Sequence, residues 1–162
     1  DTALRGFHSV ELRLRDTGPT ADLLGLMGYQ EECRQGNVTR FVLPAHNGAG
    51  TVDLAQVDAP QADQGAGSVH HIAFAVDDRA AQLQIRQALT EAGAQITPVI
   101  DRDYFWAIYF RSPGGVLFEI ATNEPGFDRD EDLAHLGEAL KLPQQHAHLR
   151  ADLERRLEPL GD

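Results

Sequence analysis

Apolar and polar positions alternate along the start of the chain, with His8, Val10, Leu12 and Leu14 on one parity, and the pattern predicts a strand over Leu4–Leu14. Leu23, Leu24, Leu26 and Met27 then recur at helical spacing from Pro19, and Gly28 stands where such a helix would stop. Val38–Leu43 and Thr51–Val57 read as strands joined by the glycine-rich turn Pro44–Gly50. The same succession returns further on. A strand is predicted over Val69–Val76, a helix over Arg79–Ala92 ending at Gly93, and strands over Ile96–Ile100, Tyr104–Arg111 and Val116–Ala121. Ser112-Pro113-Gly114-Gly115 forms the hairpin turn between the last two.

Three local matches in the same order make this succession a repeat. Phe7-His8-Ser9-Val10-Glu11-Leu12 reads like His70-His71-Ile72-Ala73-Phe74-Ala75, which sets His8 against His71. Leu24–Gln30 reads like Leu89–Gln95, and Val52-Asp53-Leu54-Ala55 like Phe118-Glu119-Ile120-Ala121. The predicted fold is α+β, two tandem βαβββ modules with cupped mixed sheets, at residues 1–60 and 69–123, joined by a polar linker over 61–68. Residues 124–162 carry ten acidic and five basic side chains and read as a helical tail. Its helices are expected at Glu131–Lys141 and Gln144–Leu157, on either side of Pro143, each with a leucine stripe packed on the sheets.

Composition narrows the function classes. Hydrophobic residues are 42% and charged residues 24% of the 162, as in an ordinary globular protein. The net charge of −11 argues against nucleic acid as a partner, because phosphates demand clustered Lys and Arg. Cys33 stands alone and excludes an intrachain disulfide or a Cys-rich zinc site. The sequence shows no apolar run of membrane-spanning length and no apolar leader, so no membrane partner is expected, and with the single thiol this points to the cytoplasm. The chain opens at Asp1 with strand-like sequence almost at once, as a piece of a longer protein would.

Parity along the strands decides which side chains can meet. Ile72, Phe74 and Val76 form one face of their strand, and His71, Ala73 and Ala75 the other. On the last strand Glu119 shares a face with Leu117 and Ala121, opposite Phe118 and Ile120. A mid-strand carboxylate needs a partner if buried, and an imidazole on the neighbouring inner face is a sensible one. The pair then makes half of a divalent-metal site. A hydrogen-bonded core histidine and an exposed edge carboxylate are the plainer fates of the same two residues. The repeat adds His8, so that His8, His71 and Glu119 would form a 2-His-1-carboxylate set if the modules shared a cavity. Asp53 stands at the position of Glu119 in the first module, one methylene shorter.

GSVHHIAFAVDD (67–78), DRDYFWAIYFRSPGGVLFEIAT (101–122) and the tail PGFDRDEDLAHLGEALKLPQQHAHL (125–149) resemble the vicinal oxygen chelate superfamily, and within it the hydroquinone-type ring-cleaving dioxygenases. The resemblance implies Fe(II), in some members Mn(II), held by two His and one Glu, with O2 and an aromatic diol or quinol as substrates. His71 and Glu119 match metal ligands, with His8 the weaker third candidate. His70, Arg102 and Tyr109 match acid–base and substrate-orienting positions. By strict alternation His70 points away from the His71 face, so its role requires a bend at the strand start. Arg102 would hold a phenolate or stabilise bound superoxide, and Tyr109 would donate to a substrate oxygen; a surface ion pair of Arg102 with Asp101 or Asp103 is the plainer reading. Such enzymes usually carry four modules, and the two here match the C-terminal pair. The remaining His ligand is then expected from an N-terminal half absent here, so that half, or a second copy in a homodimer, is the implied partner. Two other readings stay open. One is a glyoxalase- or epimerase-like metal enzyme using Asp53 as base; the other is a metal-free binding module with an aromatic cavity around Phe105 and Trp106.

Overall fold

The computed structural model describes residues 6–44 and 50–158. Its first half is a mixed sheet of β1 (Val10–Leu14), β2 (Gln30–Gln35), β3 (Val38–Val42) and β4 (Thr51–Gln56), in the order β1-β4-β3-β2. The helix α1 (Gly18–Leu26) leads from β1 to β2. The second half repeats the design with β5 (Ile72–Val76), α2 (Arg79–Glu91), β6 (Ile100–Asp101), β7 (Phe105–Arg111) and β8 (Leu117–Pro125), in the order β5-β8-β7-β6. In each sheet the first strand runs parallel to the last and the other pairs are antiparallel. The fold is therefore the α+β pair of βαβββ modules that the repeat predicts.

Local chemistry sets the helix ends. The Asp78 carboxylate accepts from Ala81 N at 2.8 Å and opens α2. Both helices close the same way: Gly28 at φ +93° and Gly93 at φ +91° reverse the chain. Tyr29 N then returns to Leu24 O, and Ala94 N to Leu89 O, each at 2.9 Å.

Each sheet turns one face to a common core and leaves the other open. Ile72, Phe74 and Val76 are half-buried while Ala73 and Ala75 are exposed; Leu12 and Leu14 are buried while Glu11 and Arg13 are exposed. Leu12, Leu24, Phe41 and Leu54 of the first module join Leu89, Ile108, Phe118 and Ile120 of the second in a single apolar cluster. The Tyr29 ring meets Phe74 edge-on, 5.9 Å between centroids. Gly114, in the turn before β8, lies so close to the first module that a Cβ there would stand 2.6 Å from Leu14 Cδ2.

Three segments depart from the predicted pattern. β2 was not foreseen: its QEECRQ sequence is exposed throughout and shows no alternation, because it is a sheet edge, protected by charges and a bulge at Glu31–Cys33. The Ile96–Ile100 strand shrinks to Ile100–Asp101. Pro98 has no donor there, and the Thr97 hydroxyl takes the Tyr109 amide at 3.0 Å in place of a ladder carbonyl. In the tail, the expected helix over Glu131–Lys141 is only a 3-10 turn at Leu133–His135, stopped by Gly137 at φ +83°. The second expected helix is a 3-10 stretch, Gln144–Leu149, leading into the seven-residue α3 (Arg150–Arg156). Leu133, at 73% exposure, and Leu136, Leu140, Leu149 and Leu157 are exposed, and of the two leucine stripes only Leu153 is half-buried. Most of the turn predicted over Pro44–Gly50, and the beginning of the first predicted strand, lie outside the described residues.

The shared core makes a cross-module prediction. Leu24 is fully buried in the first module, and the only tryptophan, Trp106, reports from the second. Leu24→Ala is expected to lower the unfolding free energy read by Trp106 fluorescence in urea by about 2–5 kcal/mol. An unchanged Trp106 transition would mean that the modules unfold separately.

Candidate metal centre

The ladder registers place one row of residues across the open face of the second sheet. Ala73 of β5 and Tyr109 of β7 both lie opposite Glu119 of β8. Glu119 is 3% exposed, held in mid-sheet by strands on both sides. His71, just before β5 on the parity of Ala73, brings its Nε2 to 2.7 Å from Glu119 Oε2. Oε1 of Glu119 is buried and has no hydrogen-bond partner. Leaving a buried polar oxygen unpaired is costly, and a cation is one partner that would satisfy it.

His70 stands beside this pair. Its Nδ1 lies 2.9 Å from His71 Nδ1, with the rings edge-to-face at 5.2 Å. Both residues precede the first ladder pair of β5, so the alternation of the ladder does not fix which way they point. One nitrogen of the two must carry the shared proton. His71 Nε2, at 2.7 Å from a carboxylate oxygen that can only accept, must donate, so the shared proton sits on His70 Nδ1; a metal taking the place of the Nε2 proton would turn His71 to the tautomer that donates from Nδ1 to His70.

Arg102 and Tyr109 close the other side. Arg102 donates from its NH2 group to the Tyr109 hydroxyl at 3.2 Å, its guanidinium carbon 5.6 Å from the ring centre. It takes this partner rather than the surface ion pair, and Asp103 pairs with Arg129. Burial pushes the Tyr109 phenol above its ordinary value; the Arg102 bond pulls it back, and the Glu119 carboxylate pushes it further up. Tyr109 therefore stays a protonated donor at neutral pH.

His8 is not part of this cluster. The ladders set Val10 opposite Val52 and Ile72 opposite Phe118, so the residue of the first module that corresponds to His71 is Ser9, and His8 corresponds to His70. Exposed His8 lines a cavity of about 390 Å³ over the first sheet, with Arg40 and Thr51 among its walls. Among the described residues, no three His, Cys, Asp or Glu side chains are placed to hold one ion. His71 and Glu119 could supply two ligands to an ion, and a further ligand would have to come from elsewhere.

The first module fills its equivalent site differently. Asp53 matches Glu119, and Arg40, opposite Asp53 in the ladder, matches Tyr109. Arg40 donates Nε and NH2 to the two Asp53 oxygens at 2.8 and 2.9 Å. This fork holds the Asp53 carboxyl below its usual range. A carboxylate so held is a poor base and a poor metal ligand. Sequence reasoning missed Arg40, because only the strand register shows that it faces Asp53.

Fold and site together define a class. The chain belongs to the Glyoxalase/Bleomycin resistance protein/Dioxygenase superfamily, whose profile matches residues 16–120. It is 39% identical over 98% of its length to the "Putative ring-cleaving dioxygenase MhqO" of Bacillus subtilis, of which it spans 51%. It is 32% identical over 97% of its length to the chlorohydroquinone/hydroquinone 1,2-dioxygenase of Sphingobium indicum, of which it spans 50%. A crystal structure of a Bacillus subtilis "putative dioxygenase" superposes on 93% of the chain with a TM-score of 0.87 at 39% identity, using 49% of that protein. The chain spans about half the length of these relatives. Among the described residues no helix is long and apolar enough to cross a membrane.

The Arg40 fork predicts a pH effect. Asp53 is held below the ordinary carboxylate value of about 3.9, so its contribution to stability is full above that pH and is lost as pH falls through the folded-state value. Arg40→Met is expected to lower stability at pH 7 and to flatten the acid side of the stability–pH curve, followed by urea unfolding from pH 7 down to pH 2. An unchanged acid limb would show that the fork carries no net stability.

Proposed function

We propose that this chain is the C-terminal, metal-bearing part of an Fe(II)-dependent ring-cleaving dioxygenase acting on a hydroquinone or catechol with O2. The observation that carries the reading is the buried Glu119 with its unpartnered Oε1, joined to His71 and flanked by the Arg102–Tyr109 pair. The third ligand is expected from a further βαβββ module of the natural protein or from a second copy of this chain, since His8 belongs to the other sheet. The relatives named for ring cleavage are about twice as long as this chain, which leaves room for such a module. Cytoplasmic residence goes with this reading.

When bound, Fe(II) would take substrate oxygens and pass charge between the diol and O2. The chain's own residues prepare the substrate. The Arg102 guanidinium offers a fixed positive charge to a phenolate, and Tyr109, kept protonated, donates to a substrate oxygen. With a metal on His71, His70 would accept from His71 Nδ1 and so fix its tautomer and ring angle. The exposed alanines Ala73 and Ala75 leave that cup open to a flat ring. The epimerase-like reading loses its base, because Asp53 is held by Arg40.

Anaerobic Fe(II) loading of the complete natural protein, followed by oxygen uptake with hydroquinones and catechols, tests the reading. Uptake with one of these diols is expected; a protein that binds no metal and consumes no oxygen sinks it. His70→Ala is expected to weaken metal binding about 10- to 100-fold, as loss of a partner that orients a ligand does, measured by competition with a chromophoric chelator. Unchanged affinity would remove His70 from the site.

A further inference from the structure

We infer that the chain following β8 is a strap that sets where Arg102 stands, with Arg129 and Tyr104 as positioning residues; the inference rests on the dioxygenase reading. Arg102 is carried on a tight turn between β6 and β7. Its amide donates to Phe105 O at 2.9 Å, and the amide of Asp103 donates to Asp101 Oδ1 at 2.7 Å. Asp103 has φ +71° and is the one non-glycine residue in the left-handed region among the described residues. Asp tolerates that conformation better than most residues but still pays for it, so the turn persists only where its surroundings hold it.

The holders come from the tail. Arg129 donates to the Asp103 main-chain oxygen and pairs with its carboxylate at 3.4 Å. The Tyr104 hydroxyl donates to Asp130 Oδ2 at 3.1 Å, and Phe127 stacks on the Tyr104 ring at 5.3 Å with only 14° between planes. Lys141 Nζ donates to Asp130 O at 2.8 Å and ties this point to the later tail. Arg102 itself turns the other way, to Tyr109. The strap thus grips the residues following Arg102 and leaves its guanidinium free to face the metal cup. A displacement of about 1 Å at such a group can cost about a hundredfold in rate.

The test is a double-mutant cycle in oxygen uptake by the complete natural protein loaded with Fe(II). Arg129→Ala is expected to lower kcat/KM for a hydroquinone about tenfold, chiefly through KM, with metal content unchanged and recovery by Arg129→Lys. In an Arg102→Ala background the same change is expected to cost less than about twofold, because its route runs through Arg102. Losses that multiply in the double variant overturn the proposal. If Arg129→Ala fails to fold, Tyr104→Phe, which removes one hydroxyl, replaces it in the cycle with an expected loss of about threefold. Wild-type protein that takes up no oxygen with any diol defeats the dioxygenase reading by itself. The strap is then decided by amide exchange in segment 100–105. Exchange about tenfold faster there in Arg129→Ala, or in Tyr104→Phe, with β1–β4 unchanged supports it, and unchanged exchange overturns it.

Discussion

A carboxylate in the middle of a sheet, closed off from water, is the constraint around which the second module is arranged. Glu119 cannot be moved toward solvent without breaking the ladders to β5 and β7 on either side. A charge so buried must be answered locally. His71 answers one oxygen, and the other is left without a protein partner. Ala73, opposite Glu119, sets no more than a methyl group beside it on that face. His70, Tyr109 and Arg102 are then ranged round the pair, so that orientation and proton supply surround the place where charge is least satisfied.

The first module shows the same socket with a different answer. Its ladders put Arg40 and Asp53 where Tyr109 and Glu119 stand, and a forked ion pair satisfies both carboxylate oxygens. The histidines part company for a related reason. A shift of one residue in register exchanges the two faces of a strand, so His8 falls at the place of His70 and Ser9 at that of His71. Two modules with one topology thus differ in which of them leaves a carboxylate oxygen unpaired.

How much of this could be read from the chain depends on how local each signal is. The repeat, the helix ends at Gly28 and Gly93, and the pairing of His71 with Glu119 are all carried by short patterns of parity and turn chemistry, and all stand as read. The alignment of His8 with His71 rested on matching letters at an offset of 63 residues, whereas the ladders set it at 62. Strand β2 left no apolar trace because an edge strand of charged residues buries nothing. The tail misled in the opposite way: leucines at helical spacing suggested a helix, but Gly137 breaks the segment and the leucines find no sheet to cover. Arg129 and Tyr104 could not be picked out, since each matters through a contact across 26 residues of chain, Arg129 with Asp103 and Tyr104 with Asp130.

The Arg40–Asp53 fork has a consequence for how the protein ages in service. A guanidinium is part of the chain: it cannot be chelated, exchanged for a competing ion or oxidised to another valence. The open side of the first sheet is therefore braced by a charge that no supply of metal touches. The first module thus keeps its brace whatever becomes of the unpaired oxygen in the second.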